Sequence, residues 1–205
     1  MHLAALLPRL ARLAAVGALI AVMGVAEAPG SAPPQLAQAT PDAAARAQRL
    51  DQLFARLKAT KDEGEGDTVV ADIWKAWLQS GQPDLDEQME LAVKQMAYGL
   101  LQPALAIFDA IIERAPDWAE AWNKRATVLF LVDEHDRSLA DVERTLALEP
   151  RHFGALAGRG LIYTAKEDYR AALAAFRQAL DINPFLKERH SIIPELQKRL
   201  GEKPT

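Results

Sequence analysis

Between residues 153 and 184 the chain reads FGALAGRGLIYTAKEDYRAALAAFRQALDINP, two amphipathic runs joined by a polar turn and closed by a proline. Apolar residues recur at three- and four-residue spacing in both runs, as they do along one face of a helix. Proline cannot continue a helix, so Pro184 predicts the end of the second run. The stretch therefore predicts a pair of packed helices.

The same pattern occurs twice more upstream, at a constant period of about 34 residues. The prolines at the ends of the units are Pro116, Pro150 and Pro184. Other positions follow the same period, namely Ala92, Ala126 and Gly160, then Ala104, Ser138 and Ala172, then Phe108, Val142 and Phe176. Small residues recur at positions where two helices should pack closely, and large residues recur mostly at positions that are expected to lie in the core. One unit cannot bury its own apolar face, whereas about three stacked units can.

The order and spacing of these residues resemble the sequence pattern of the tetratricopeptide repeat family. The third unit follows the family pattern most closely, with Leu156, Gly160, Tyr163, Ala172, Phe176, Ala179 and Pro184 in order. The second unit departs at Arg125 and Thr145, and the first at Gln88 and Gln95. The resemblance implies an all-α solenoid with repeats at 85–118, 119–152 and 153–186, which together occupy about residues 84–184. The N-terminal pattern described below predicts that the chain is an exported bacterial member of this family.

Composition limits the classes of partner. The chain has a formal charge of −4 and no basic stripe, so we expect no nucleic-acid partner, since phosphate neutralisation supplies most of such affinity. It has no cysteine, which excludes disulfides and zinc–thiolate sites. Ala, Leu, Glu, Arg and Gln are plentiful, which favours helices.

Residues 1–39 have the pattern of a signal peptide and a Pro-rich cleavage region. A weakly basic start with Arg9 and Arg12 precedes an apolar run over residues 13–26, which is shorter than the roughly 20 residues that span a bilayer. Cleavage after Ala26, Ala28 or Ala39 fits, and we favour Thr40 as the mature start. We therefore expect a periplasmic protein without stable membrane insertion. The alternative is an uncleaved membrane anchor.

Further helices flank the repeats. Residues 40–83 contain two amphipathic stripes, separated by a predicted break at residues 63–66 and ended near residues 80–83. This N-terminal helical pair is expected to cover the open end of the first repeat, or else to fold over the groove of the repeats. Residues 185–205 are expected to form a capping helix and a tail, with Pro194 predicting a break near His190–Ser191.

The resemblance implies a concave, partner-binding groove lined by the first helix of each pair. Its mostly apolar lining would comprise Asp86, Met89, Val93, Met96, Glu120, Asn123, Thr127, Phe130, Gly154, Ala157, Leu161 and Thr164. Two carboxylates would lie at one rim, and the methionines would suit an adaptable surface. Some family members bind the C-terminal carboxylate of chaperones through a Lys/Asn/Arg clamp, of which only Lys124 is present here, so we exclude that partner.

A search for catalytic chemistry gives weaker patterns. His135 lies in Asp133-Glu134-His135-Asp136, which we interpret as a solvated turn in preference to a metal cluster or an acid–base pair. Gly154, Gly158 and Gly160 lack the order of a phosphate loop, and helix packing explains Gly160. Trp118 is a candidate exposed anchor. We expect no cofactor and no enzyme, but a scaffold or envelope assembly factor that binds another protein. The alternative is a membrane-tethered accessory subunit of an envelope complex.

Overall fold

The computed structural model describes residues 41–201, and within that range the regular structure is entirely helical. Three antiparallel helix pairs stack in sequence: α3 (Pro83–Ala97) with α4 (Leu101–Arg114), α5 (Ala119–Leu131) with α6 (His135–Leu148), and α7 (Phe153–Ala165) with α8 (Tyr169–Ile182). They are preceded by α1 (Pro41–Ala59) and α2 (Glu63–Trp77), and followed by a 3-10 helix (Lys187–His190) and α9 (Ile192–Leu200). The predicted all-α solenoid of three repeats is confirmed. The predicted signal peptide lies outside the described residues.

The turn inside each repeat has the same geometry, and it recurs at the repeat period. Gly99, Asp133 and Glu167 occupy equivalent positions in the three repeats and all have positive φ, at 75°, 62° and 60°. The next residue donates its backbone N–H back to a carbonyl five residues earlier, as in Glu134 N to Leu129 O at 2.8 Å. This left-handed ending satisfies the last carbonyls of the first helix. Repetition therefore extends from side-chain types to backbone conformation.

The core runs along the stack between the two layers of helices. Its first part joins the first two repeats and includes Leu85, Phe108 and Leu129, and its second part joins the third repeat to α9 through Phe176 and Leu196. Gly160 allows close packing of α7 on α8, because an added Cβ would lie 2.6 Å from the Phe176 ring. This confirms the packing interpretation of Gly160.

The C-terminal segment breaks where Pro194 predicts it. The 3-10 helix ends at His190, and α9 begins at Ile192 with Pro194 in its first turn. Ile193 and Leu196 bury their side chains on the third repeat and cap the stack.

The predicted break at residues 63–66 is wrong. Those residues form the first turn of α2, and the chain breaks instead at residues 60–62, where Asp62 Oδ1 accepts the backbone N–H of Glu65 at 2.7 Å. Gly66 lets the Phe185 ring pack directly against the backbone of α2, because a Cβ at this position would lie 2.5 Å from that ring. A glycine that weakens a helix in isolation is tolerated where another side chain packs against the backbone.

Candidate functional site: the inner face and its covering helix

The inner face is the surface lined by α3, α5 and α7, the first helices of the three pairs. Helix α2 packs across the half of this face that lies near the N-terminal ends of α5 and α7. Trp74 and Trp77 form the contact: a Cβ at Gly154 would lie 2.4 Å from Trp74 Cη2, and the Trp77 ring stacks on His152 at 3.9 Å with 8° between the planes. The N-terminal helices thus fold over part of the groove.

Both ends of this helical pair are fixed by long-range contacts. Arg151 joins α1 through Asp51 at 2.7 Å, and Arg189 beside the C-terminal cap joins Glu63 at 2.6 Å. At the other end of α2, Trp118 donates its indole N–H to Trp77 O at 2.8 Å. Trp118 is therefore half-buried and held against α2, and the expectation of an exposed anchor at this position is wrong.

A buried polar cluster lies beneath the two tryptophans, centred on Glu120. Its carboxylate is 2.9 Å from Lys124 Nζ and 2.9 Å from His152 Nε2, and it accepts the amide of Asn123 at 2.8 Å. His152 Nδ1 accepts the backbone N–H of Ala155, which assigns a neutral ring whose Nε2–H donates to Glu120. The negative charge of the Glu120 carboxylate and the positive charge of the Lys124 ammonium then balance each other.

The charge on Glu120 is stabilised from several directions. Burial favours the neutral acid, but the Lys124 ammonium and the His152 hydrogen bond outweigh it and hold the pKa of Glu120 below its ordinary value. The Lys124 ammonium also lies 4.9 Å from the centre of the Trp74 ring, where a cation is attracted to the π face. Asn123 Oδ1 in the cluster and Trp77 Nε1 above it are buried, and neither has a hydrogen-bond partner among the described residues.

The carboxylates predicted at the rim of the groove serve internal contacts. Glu120 is buried in the cluster, and Asp86 Oδ1 accepts both the backbone N–H and the hydroxyl of Ser80 at 2.6 Å, which fixes the turn between α2 and α3. Thr127 is also buried and donates its hydroxyl to Asn123 O. Of these side chains, Glu120 lies beneath Trp74 and Trp77, so it reaches a partner only if α2 moves.

The methionines predicted to line the groove belong to the core. Met89 and Met96 are 1% and 3% exposed and pack with Leu85 and Phe108, so the expectation of an adaptable Met surface is wrong. Ala157 and Gly154 are buried as well, the latter under Trp74. Of the predicted lining, only the side chains of Val93, Phe130, Leu161 and Thr164, together with that of Asp86, are half-buried and not fully buried.

The half of the inner face near the C-terminal ends of the first helices stays more accessible. Each repeat contributes one half-buried apolar side chain there, Val93 from α3, Phe130 from α5 and Leu161 from α7, with Thr164 beside the last. The Phe130 ring lies 5.3 Å from the His135 ring. His135 is itself half-buried, with Nδ1 buried, so its interpretation as a solvated turn residue is wrong. Within residues 41–201 no group of three or more His, Asp or Glu side chains is arranged to hold a metal ion.

Sequence reasoning missed the role of Trp74 and Trp77. Their helical spacing predicted an apolar stripe on α2, but not the surface on which it packs. A usable signal was Gly154: the equivalent positions in the other repeats carry Asp86 and Glu120, and a glycine there leaves room for a large side chain from elsewhere. None of the helices in the described part of the chain is long and apolar enough to cross a membrane.

The stacked pairs and the inner face define an α-solenoid, a class that typically serves as a non-catalytic protein-interaction scaffold. The tetratricopeptide repeat profile matches residues 154–186. A TPR repeat-containing protein of Rhizobium etli is 34% identical over 154 residues, covering 75% of this chain and 76% of that protein. The chain belongs to the tetratricopeptide repeat family.

Further comparisons give a partial sequence match and two solved structures with a similar fold. Mouse DnaJ homolog subfamily C member 3 is 29% identical over 115 residues, but this chain spans only 23% of its length. Among solved structures, MamA protein superposes with a TM-score of 0.52 at 19% identity, covering 76% of this chain and 84% of that one. MamA 41-end from Desulfovibrio magneticus RS-1 gives a TM-score of 0.52 at 18% identity, over 80% and 89% of the two chains.

Proposed function

We propose that this protein is a periplasmic scaffold, serving as an adaptor or envelope assembly factor, that holds a segment of another exported protein on the open half of its inner face. The observation that carries the proposal is the row of Val93, Phe130 and Leu161, one apolar side chain from each repeat. A row that crosses three rigid helices suits a short segment with apolar side chains at matching intervals. We infer no enzymatic step, because scaffold binding accounts for the arrangement.

The proposed compartment rests on the N-terminal sequence. A basic start, an apolar run over residues 13–26 and small residues before Thr40 favour export followed by cleavage. The intact mass of the protein isolated from cells tests this: a chain that begins at Thr40 and fractionates with the periplasm supports the proposal. A chain that begins at Met1 and fractionates with membranes favours the tethered accessory subunit instead.

The binding surface is tested by site-specific crosslinking in intact cells. A photo-reactive residue at Leu161 should capture a discrete exported protein, and Phe130→Glu should reduce that capture at least tenfold, because a carboxylate would have to be desolvated against an apolar segment. The matched control carries the photo-reactive residue at Ala174, which is exposed on α8, a second helix of its pair. Equal capture from both positions, or capture unchanged by Phe130→Glu, would place binding elsewhere.

A further inference from the structure

Neighbouring repeats are joined by an ion pair that recurs at the repeat period. Arg125 on α5 pairs with Asp109 on α4, and Arg159 on α7 pairs with Glu143 on α6 at 3.1 Å. Both partners in the second pair lie one full repeat after those in the first. This position on the first helix of a repeat therefore faces the second helix of the preceding repeat.

In the first repeat the equivalent position is Leu91, which faces no preceding repeat. The N-terminal helices do not cover it, because α2 packs on the inner face through Trp74 and Trp77. The expectation that they cover the open end of the first repeat is therefore wrong. Leu91 is 46% exposed, and nearby Tyr98 and Leu100 are 73% and 48% exposed. The large apolar side chains that are exposed in the described part of the chain thus all belong to the first repeat.

The exposed side of α3 forms a stripe that is complementary to itself. Glu87, Leu91, Lys94 and Tyr98 follow one another at four- and three-residue spacing, and all are exposed. If two α3 helices pack antiparallel about a two-fold axis at Leu91, Glu87 of one copy lies opposite Lys94 of the other. Along the helix axis, Lys94 is displaced by about one residue, or roughly 1.5 Å, from the point directly opposite Glu87. The symmetry forms this ion pair twice.

We propose that this end face, made of the α3 stripe with Leu100, is a two-fold dimer interface that takes a second copy of the chain. Leu91 packs against its symmetry mate, Tyr98 covers the first turn of the opposite α3, and two Glu87–Lys94 pairs flank the apolar contact. An isologous contact of this kind closes after two copies and leaves no further apolar end to recruit a third. A single helix pair buries less area than the roughly 1,200 Å² of a standard stable interface, so the dimer is reversible, with micromolar dissociation.

Charge exchange across the axis gives the decisive test. Sedimentation velocity of the purified mature protein at tens of micromolar should detect a dimer. Glu87→Lys alone and Lys94→Glu alone should each weaken dimerisation about tenfold or more, since symmetry turns both attractive pairs into repulsive ones. The double variant Glu87→Lys/Lys94→Glu restores opposite charges at both pairs and should return the dissociation constant to near the wild-type value.

A second variant separates the interface from folding. Leu91→Glu should give a monomer with unchanged helix content, because the side chain is exposed and packs on no other repeat. The matched control is Ala174→Glu on α8, which should leave the dimer intact. A monomeric wild-type protein would overturn the proposal and assign the face to another occupant. A dimer that survives both single charge changes, or a double variant that stays monomeric, would also overturn it.

Discussion

Arg125 shows how a charged side chain is accommodated inside the repeat stack. Its guanidinium bridges three helices, pairing with Asp109 on α4 and with Asp141 on α6 at 3.3 Å. The side chain of Asp109 is 48% exposed, whereas that of Asp141 is fully buried. One guanidinium cannot neutralise two carboxylates, and Asp141 is the one that is shielded from water. Burial accordingly raises the pKa of Asp141 to about 8, against the attraction of Arg125.

A pH dependence of stability follows from the raised pKa of Asp141. Below about pH 4 the carboxyl is protonated in both states; between pH 4 and 8 the unfolded chain releases the proton while the folded chain retains it. The contribution of this group to stability is therefore lost as the pH rises, with a slope of at most about 1.4 kcal/mol per pH unit. Asp141→Asn, which cannot ionise, should remove that slope from urea-unfolding free energies measured between pH 5 and 8.

The control for this prediction is a carboxylate on the same helix. Glu143 is about half exposed and pairs with Arg159, so Glu143→Gln should leave the slope of the wild-type profile unchanged. If Asp141→Asn and the wild-type protein lose stability in parallel over this range, Asp141 is ionised in the folded state and the assignment fails.

For single residues, the sequence showed that Arg125 is unusual at its position, but it did not show which carboxylates pair with it. Arg125 stands out because the repeat pattern favours an apolar or small residue there, yet its partners lie 16 residues away in each direction on other helices. A carboxylate is common on the outside of a helix, and only packing tells which one reaches inward. The same limit applies to Glu120, whose partner His152 is 32 residues away.

Helix α2 is the element whose placement changes the functional interpretation most. An apolar stripe predicts that one face of a helix is buried, but it does not specify the surface that buries it. Here the stripe packs on the inner face of the second and third repeats, not on the open end of the first. The half of the face that remains accessible is consequently narrower than repeat spacing alone predicts, and it is centred on Phe130 and Leu161.

Gly154 makes the docking of α2 testable. Because a Cβ there would lie 2.4 Å from Trp74, Gly154→Leu should displace α2 and, with it, α1, while the repeats keep their own contacts. Hydrogen exchange measured by mass spectrometry should rise at least tenfold across residues 44–77 and stay close to wild type in α3 and α4. Binding of a partner segment to the open half should persist in this variant.

The matched control places the same side chain where α2 does not reach. Ala165 is exposed at the C-terminal end of α7, and Ala165→Leu should leave the exchange of α1 and α2 unchanged. Uniformly faster exchange in the Gly154→Leu protein would mean that the substitution unfolds the third repeat, and equally slow exchange would mean that Trp74 moves aside without releasing α2.

Over the whole molecule, stability is distributed along the stack, because each repeat mainly contacts its neighbours. The C-terminal cap tests this. Leu196→Asp places a charge in the contact between α9 and the third repeat, so exchange should rise in α8 and much less in α4, at the opposite end. Lys198→Asp on the exposed side of α9 is the control and should change neither. An equal rise in α4 and α8 would instead indicate a single cooperative unit.

The architecture itself was predictable because its signals are local and repeated. The prolines, the small residues and the core positions all return once in every repeat, and the backbone turns at Gly99, Asp133 and Glu167 return with them. Features that depend on contacts between distant segments were not predictable. The exposed end at Leu91 and the surface on which α2 packs are therefore known only from the structure.

The long-range contacts of α1 and α2 also determine the order in which parts of the chain can fold. Asp51 and Glu63 find their partners 100 and 126 residues later, at Arg151 and Arg189. The repeats close contacts with adjacent segments and can form one after another as the chain becomes available for folding. Helices α1 and α2 therefore gain these ion pairs late, and the contacts of Trp74 and Trp77 with His152 wait for the third repeat. With the export proposed above, the same order would apply on the far side of the membrane, where the helices that emerge first dock only after most of the chain has followed them.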